Sequence, residues 1–225
     1  MLKRSRAAAL TTFAAGSAAL FAVLAGPAGA SAKDASALQH ASTNASVNAK
    51  ARTSTWPTFL SAKDLPPHPT SSWRAGKVTD GVPEGLGFCV AETLPGYDSR
   101  YREYRTDLET NAQQLTFVVG SNAKAKALAT RVNKDIRACA ARIERSDPTT
   151  DARLKDYGTL PVEEGAHVYG LRTETSFGAT DIGLLSVGRD GRAVTLVRWG
   201  QLGDFSDAPV KAFKKTTTTA VNKLH

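Results

Sequence analysis

The sequence predicts an α+β domain, in which amphipathic helices pack on one face of an antiparallel sheet. Two observations carry this prediction. Several segments alternate apolar and polar residues, as strands do, and they are followed by segments in which apolar residues recur every three or four positions, as in helices. Residues 56–225 contain two such cycles, each a set of strands followed by one helix. About 170 residues is the usual size of a single domain with one core.

The first cycle begins with a short helix, a strand and a hairpin. Two prolines end the predicted helix because proline cannot continue it. The second arm of the hairpin alternates apolar with polar residues, which is typical of a half-buried strand. The predicted bounds are 56–65 for the helix, 86–94 for the strand, and 100–108 and 112–119 for the hairpin.

A long amphipathic helix is predicted after the hairpin. Ser121 can cap its first turn, and the helix is expected to run to about Arg145, where Asp147–Pro148 would end it. Its apolar residues follow one another in steps of three and four and define one buried stripe. The stripe consists of Ala125, Leu128, Ala129, Val132, Ile136, Cys139 and Ile143.

The second cycle is a three-stranded meander followed by a C-terminal helix. Asp190–Gly191 joins the last two strands, and this dipeptide is typical of two-residue hairpin turns. Asp207 is predicted to cap the C-terminal helix, with Pro209 in its first turn. The predicted strands are 166–175, 180–189 and 192–201.

The first 55 residues have a different composition. Residues 1–32 predict a secretory signal peptide with a basic start, an apolar run, and cleavage after Ala30 or Ala32. An uncleaved anchor is the alternative, but no basic stop-transfer cluster follows the apolar run. Residues 33–55, rich in Ala, Ser and Thr, predict a flexible tether. We therefore expect a secreted protein, free or associated with the cell wall, with no stable membrane anchor.

The charge of the chain indicates only a broad class of partner. It has 29 Lys and Arg residues against 21 Asp and Glu residues, a net charge of +8. Three of the positive charges, Lys3, Arg4 and Arg6, belong to the predicted signal peptide. The remaining excess suits contact with anionic polymers and is too small to predict nucleic-acid binding. We expect a monomer whose extracellular ligand, anionic or carbohydrate, the sequence does not identify.

The chain contains two cysteines, Cys89 and Cys139. In an exported protein the expected state of such a pair is a disulfide. It would close a loop of about 50 residues and stabilise the fold by on the order of 4 kcal/mol. A metal or redox pair is the alternative, but the Cys-x-x-Cys spacing and the nearby histidines of such sites are missing. We therefore predict no metal and no cofactor.

The sequence contains no recognisable catalytic motif. Its four histidines lack metal-ligand spacing. Ser186 lies in a predicted strand rather than at a strand-to-helix turn, and Glu163–Glu164 would point to opposite faces of an extended chain. The sequence thus predicts no catalytic residue, and we expect a protein that is not an enzyme.

A segment rich in Tyr and Arg is the most suggestive cluster for ligand binding. Tyrosine offers a stacking face and a hydroxyl, and arginine offers a forked donor for carboxylate or phosphate. In a strand, Tyr101 and Arg105 would share one face and line any cleft. The alternative is a solvated edge strand whose arginines prevent edge pairing, with Trp73 as a lid on the core. The candidate ligand-binding residues are Tyr97, Tyr101, Arg102, Arg105 and Trp73.

Together these features resemble a known family. The resemblance rests on Phe59-Leu60-Ser61-Ala62-Lys63-Asp64-Leu65-Pro66, on Trp73, and on Cys89 and Cys139 with the Arg- and Tyr-rich strand between them. Residues 56–224 are similar to the PknH-like extracellular sensor domain, which is attached to some bacterial transmembrane Ser/Thr kinases and also occurs in stand-alone exported proteins. The resemblance implies an antiparallel sheet with helices and a cleft for an unidentified extracellular ligand. It implies no catalytic activity.

Two features depart from that family. The sequence has no kinase or transmembrane segment after the leader, so a signalling role inside the cell is not implied. The kinase-linked domain has two disulfides, whereas this chain has cysteines for one. We therefore expect an exported, non-enzymatic ligand-binding or sensor-like domain. The alternative is a structural or interaction protein of the cell envelope that binds an anionic polymer or a protein through a basic face.

Overall fold

Seven strands lie within residues 56–90, 94 and 98–225, which are the residues that this computed structural model describes. They are β1 (Arg74–Asp80), β2 (Ser99–Arg105), β3 (Asn111–Val118), β4 (Thr150–Leu160), β5 (Ala166–Thr175), β6 (Thr180–Asp190) and β7 (Ala193–Leu202). They form one sheet in the order β1-β2-β3-β7-β6-β5-β4, and every neighbouring pair is antiparallel.

The described residues also contain four α-helices and three 3₁₀ turns. The helices are α1 (Gly87–Val90), α2 (Asn122–Arg137), α3 (Cys139–Ser146) and α4 (Val210–Asn222). The 3₁₀ turns are Ala62–Asp64, Glu84–Leu86 and Phe205–Asp207. Among these helices, none is long and apolar enough to cross a membrane.

The α+β class and the packing of helices against an antiparallel sheet are confirmed. The predicted hairpin is β2–β3, and the predicted meander is β5–β6–β7. Ser121 caps α2, since its hydroxyl accepts a hydrogen bond from the Lys124 N–H at 3.2 Å. The long helix ends at Ser146 as expected, but a break at Ala138 divides it into α2 and α3.

The helices lie on both faces of the sheet, whereas the sequence predicted one face. The α2 and α3 helices cover what we call the front face, where they pack on side chains such as Leu185 and Leu196. The α4 helix covers the back face, which presents Leu184 and Val197. Because successive strand residues alternate between faces, apolar residues at adjacent positions of β6 and β7 mean that both faces are covered.

Two predicted elements at the start of the domain are wrong. Residues 86–94 were expected to form a strand, but Gly87–Val90 is a helical turn. Its apolar residues Leu86, Cys89 and Val90 are buried and have the three- and four-residue spacing of a helix. Residues 56–65 form no α-helix: they contain the 3₁₀ turn Ala62–Asp64, and before it the N–H and carbonyl of Leu60 bind side chains of the sheet.

Three further differences concern element ends and edges. Asp207 does not cap the C-terminal helix, which begins at Val210; its carboxylate accepts from the Asp204 N–H at 2.8 Å. Strands β1 and β4 were not predicted from the sequence. Both are edge strands: β1 is exposed throughout, and β4 mixes exposed and half-buried residues with one buried residue, so neither shows the extended apolar alternation on which the prediction depended.

The segment from Trp56 to Leu65 packs on the back face. Leu60 is fully buried, its N–H donates to Gln114 Oε1 at 2.7 Å, and its carbonyl accepts from the Tyr104 hydroxyl at 2.8 Å. Burial raises the pKa of Tyr104, so the hydroxyl stays protonated and remains a donor. With α4, this segment closes the back face over an apolar core.

The predicted disulfide is confirmed. Cys89 and Cys139 are bonded, with their Cα atoms 5.2 Å apart. Cys89 lies in α1 rather than in a strand, so the bond ties α1 to the start of α3. The Arg142 guanidinium donates to the Cys89 carbonyl and also to the Asp135 carbonyl, the latter at 2.9 Å. The disulfide and this arginine therefore hold the segment before β2 against the helices of the front face.

Candidate ligand-binding site

The front face of the sheet changes character along β7. Val194 and Leu196 pack under α2 in a buried apolar cluster. The next residues of β7 on the same face are Arg198, Gly200 and Leu202, because strand residues alternate between faces. The apolar surface under the helices therefore gives way to a charged residue and a glycine within one strand.

Two glycines form a trough in the uncovered part of the front face. Gly200 of β7 and Gly183 of β6 are register partners in the centre of the sheet. Asn111 of β3 flanks Gly200, and Leu171 of β5 flanks Gly183. We call these four residues the glycine row. Since neither glycine has a side chain, the sheet surface is lowest along this row.

A cavity of about 340 Å³ lies over the glycine row. This volume falls within the range of about 300–1,000 Å³ that is usual for small-molecule sites. One wall consists of Gly85, Leu86 and Cys89, from the segment that the disulfide holds in place. We call this cavity the Arg198 pocket, because Arg198 is the one positively charged residue in the lining that the structure describes.

The guanidinium of Arg198 lies over Gly200. A Cβ atom added to Gly200 would be 3.5 Å from Arg198 Nη2. Arg198 Nη1 donates a hydrogen bond to Asn111 Oδ1 at 2.8 Å. Within the described residues no carboxylate lies within 4.0 Å of the guanidinium. The glycine thus gives the side chain room to lie flat in the pocket, where a neutral amide is its direct partner.

Two features of its surroundings shift the pKa of Arg198 in opposite directions, and the side chain keeps its charge at neutral pH. Burial lowers the pKa of the guanidinium, and the negative charge of Asp181 partly opposes this change. The ordinary pKa of arginine is above 12, so the group stays positively charged at neutral pH. A partly desolvated guanidinium with a single neutral partner can form a forked, charge-assisted hydrogen bond with an anion that enters the pocket.

The other lining residues add negative charge and apolar surface. Asp181 and Glu109 line the pocket and are exposed, so they lie toward solvent. Leu86, Leu171 and Leu185 provide apolar contacts. The site therefore combines an inner cation, two outer carboxylates and apolar walls, which together can orient a small polar molecule.

The residues predicted from the Tyr- and Arg-rich strand lie elsewhere. Tyr101 is half-buried and packs against the front core, outside the lining of the Arg198 pocket. Arg105 lines a second cavity of about 340 Å³ between β1 and β3, which it shares with Arg74 and Asn111. Asn111 borders both cavities, so Arg105 is the predicted residue nearest to the Arg198 pocket in the register of the sheet.

The remaining predicted residues have structural contacts. Arg102 points to the back face, where it donates to the carbonyls of Gly76 at 2.8 Å and Leu60 at 3.2 Å. The indole N–H of Trp73 donates to the Pro66 carbonyl at 2.7 Å, and the ring packs against the back core. Tyr97 lies outside the described residues. The structure thus separates the four described candidates rather than gathering them into one site.

A signal for the Arg198 pocket is present in the sequence. Gly183 and Gly200 interrupt two segments that otherwise predict central strands, and glycine inside a strand often marks a place where a ligand or another backbone comes close. The register that brings Gly183 beside Gly200 comes only from the folded sheet.

A second polar cluster lies near the edge of the front face. His167 Nε2 is 2.6 Å from Asp156 Oδ1, and the imidazole stacks on Tyr169 with ring centroids 4.4 Å apart. Burial would raise the pKa of Asp156, but hydrogen bonds from His167 and the Gly158 N–H lower it overall. Burial also raises the pKa of Tyr169 to about 12. In the described part of the chain, no three His, Cys, Asp or Glu side chains converge on a metal site.

Two comparisons, with family models and with curated proteins, were negative. No family model matches the chain, and no curated protein is similar to it. The resemblance to the PknH-like sensor domain therefore rests on the residues quoted above.

Proposed function

We propose that this protein is an exported, non-enzymatic binding module of the sensor-like kind that holds a small extracellular ligand in the Arg198 pocket. One observation carries the proposal: a partly desolvated guanidinium lies over a glycine row in a ligand-sized cavity, with no carboxylate partner. Arg198 is half-buried and has no direct ion-pair partner in the described residues, although the charge of Asp181 acts on it from farther away. Partial burial of a charge without a direct partner reduces stability, so its retention in a pocket is typical of a binding site.

The disulfide supports the exported part of the proposal. Disulfides persist in oxidising compartments and are rare in the cytosol. Cys89 and Cys139 form such a bond in the wall of the pocket, and the first 32 residues predict a signal peptide. An exported binding protein with one structural disulfide accounts for both features.

The pocket's polar groups support binding rather than catalysis. The polar side chains of its described lining are Arg198, Asn111, Asp181, Glu109, Thr173 and Gln201. This lining has no histidine, and its one cysteine is in the disulfide. The Thr173 hydroxyl has no hydrogen bond to a base among the described residues. Nucleophilic catalysis needs a nucleophile within hydrogen-bond reach of a base. A guanidinium and an amide can hold an anionic group, and this is the role that we assign to Arg198 and Asn111.

The test is native mass spectrometry of the protein purified from its own culture medium, compared with a variant whose pocket is filled. Gly183→Val suits this purpose because a Cβ at Gly183 meets its neighbours at 3.6 Å or more, and valine favours strands. The exposed Gly120→Val is the matched control. We expect a bound small molecule on the wild type and on the control, and none on Gly183→Val. Equal occupancy of all three proteins would contradict the proposal.

A second candidate function rests on the outer surface of α2. Lys124, Lys126, Arg131 and Lys134 are all exposed, and none has a carboxylate within 4.0 Å among the described residues. Such a basic surface could bind an anionic polymer of the envelope. Retention on a heparin column at low salt, lost when Lys126, Arg131 and Lys134 are changed to Glu, would support it. No retention of the wild type would exclude it.

A further inference from the structure

The charges of the Arg198 pocket are separated along the strands. Arg198 lies on the side of the glycine row next to the helices, opposite Leu185 in the register of β6 and β7. Asp181 lies on the other side of the row, opposite Leu202. Leu185 and Asp181 are four steps apart along β6, so at about 3.3 Å per step their Cα atoms are about 13 Å apart. The arginine side chain shortens this gap because it reaches over Gly200.

From this arrangement we infer that the ligand is a small zwitterion, a free amino acid or a dipeptide with an apolar side chain, whose carboxylate pairs with Arg198 and whose ammonium group faces Asp181 and Glu109. The inference rests on the function proposed above and names the class of ligand. Asn111 fixes the guanidinium through the 2.8 Å hydrogen bond, which leaves Arg198 Nη2 and Nε as donors for a carboxylate.

The lining disfavours ligands that carry charge of one sign. Two carboxylates at the outer side of the pocket repel a ligand that is only anionic, while Arg198 repels one that is only cationic. A zwitterion satisfies both ends, with opposite charges on either side of the glycine row. A side chain of the ligand can then contact Leu86 and Leu171, which line the same cavity.

The volume of the cavity sets an upper limit on the size of the ligand. A volume of about 340 Å³ holds an amino acid with room for water, or a dipeptide more tightly. Arg198 covers Gly200, but no side chain lies within 4 Å of a Cβ position at Gly183, so the backbone atoms of a short peptide can lie close to the sheet beside the guanidinium.

Isothermal titration calorimetry with leucine and glycyl-leucine tests the inference, since each can be compared with an N-acetylated and a carboxamide form. We expect each zwitterion to bind about 10- to 100-fold more tightly than either blocked form, because each block removes one charge-assisted interaction. Equal binding of the zwitterion and the N-acetyl form would overturn the role of the ammonium group. Equal binding of the zwitterion and the carboxamide would overturn the role of Arg198.

Three variants and one control assign these preferences to residues. Arg198→Met should remove the preference for acid over carboxamide, and Arg198→Lys, which keeps the charge without the fork, should retain part of it. Asp181→Asn combined with Glu109→Gln should remove the preference for free amine over N-acetyl. Arg192→Met removes the same charge from an exposed position and should change neither preference. Unaltered preferences in folded Arg198→Met would contradict the inference.

The outcome also separates this inference from the proposed function. If neither zwitterion binds while the wild type still carries a small molecule that Gly183→Val lacks, the pocket is a binding site for another class of ligand and the inference is wrong. If the Gly183→Val variant also carries that molecule, the proposed function itself is wrong.

Discussion

The two halves of the front face use the same strands for different purposes. Under α2 and α3, the β7 residues Val194 and Leu196 are buried against the helices. The next front-face positions of the same strand are Arg198 and Gly200, which line the Arg198 pocket and are not part of the apolar cluster under α2 and α3. The backbone hydrogen bonds of the sheet continue through both halves without interruption.

The difference shows where this fold can keep a polar site. The covered half supplies the apolar burial that stabilises the domain, and the disulfide fixes the segment that borders the uncovered half. Arg198 and the two glycines are not part of the apolar clusters, so we expect substitutions there to affect stability less than substitutions in the covered half. Substitutions in the two halves should therefore separate stability from binding.

The largest loss of stability should come from removing the disulfide. Its cysteines are 50 residues apart in sequence, and the chain-entropy model assigns such a loop about 4 kcal/mol. We expect Cys89→Ala/Cys139→Ala to lower the free energy of unfolding by about this amount in urea titrations. Because Cys89 lines the Arg198 pocket, the variant should also bind ligand more weakly. A loss well under 1 kcal/mol would show that noncovalent contacts alone hold this wall.

Within the covered half, Leu196→Ala should lower the free energy of unfolding by nearly as much as removal of the disulfide. Leu196 is 2% exposed in the front core, and truncation of a buried leucine costs about 2–5 kcal/mol. Leu202→Ala is the matched change in the uncovered half of the same strand, where the side chain is 57% exposed. Its expected cost is below about 0.5 kcal/mol. Equal losses in chemical denaturation would remove the distinction between the halves.

At the closed back face, the contribution of Asp64 to stability is expected to depend on pH. Burial would raise the pKa of Asp64, but hydrogen bonds from the Ser61 N–H and Oγ, both 2.7 Å, and the charges of Lys223 and Lys63 lower it overall. A lowered folded pKa stabilises the protein above the unfolded value, about 3.9, and this stabilisation is lost as the pH falls through the folded value.

Asp64→Asn should therefore reduce stability by about 1 kcal/mol at pH 7, and the gap to the wild type should narrow below about pH 4. Thermal unfolding of both proteins between pH 7 and pH 3 measures the gap. A gap that is constant across this range would show that the charge of Asp64 has no part in the effect. Ligand binding at the Arg198 pocket should stay unchanged at neutral pH, because Asp64 lies on the other face of the sheet.

The smallest expected effect is a gain in stability. Gly183→Ala places a methyl group at ordinary contact distance, 3.6 Å from the Trp199 carbonyl oxygen. Alanine in a strand is more stable than glycine by about 0.5–1 kcal/mol, so the variant should unfold at a slightly higher temperature while it binds ligand less tightly. A destabilised variant would mean that Gly183 is required by the fold rather than by the ligand.

Much of the fold follows from local patterns in the sequence. The β2–β3 hairpin, the Ser121 cap and the β5–β7 meander were predicted because periodicity and turn residues act within a few positions. The edge strands β1 and β4 were missed because solvated side chains leave no apolar alternation. The pairing of Cys89 with Cys139 was predictable because the chain has two cysteines.

The candidate site depended on contacts that the sequence does not encode locally. Arg198, Gly183 and Asn111 are far apart in the chain, and they meet only because β3, β7 and β6 are neighbours in the sheet. The Tyr- and Arg-rich strand was more conspicuous in the sequence, but Arg102 of that strand holds the segment before β1 to the back face. Chemical suitability of residue types therefore did not locate the pocket.

The most direct test is an amide NMR titration of the ¹⁵N-labelled wild-type protein with glycyl-leucine. The account predicts shifts at Gly183, Gly200 and Asn111 that saturate, while Val194 and Leu196 under α2 stay unaffected. In the same titration of Gly183→Val, the signals of the other four residues should not shift. Shifts confined to the basic surface of α2, or none in the wild type at millimolar ligand, would contradict the claim that the uncovered half of the front face is built to bind.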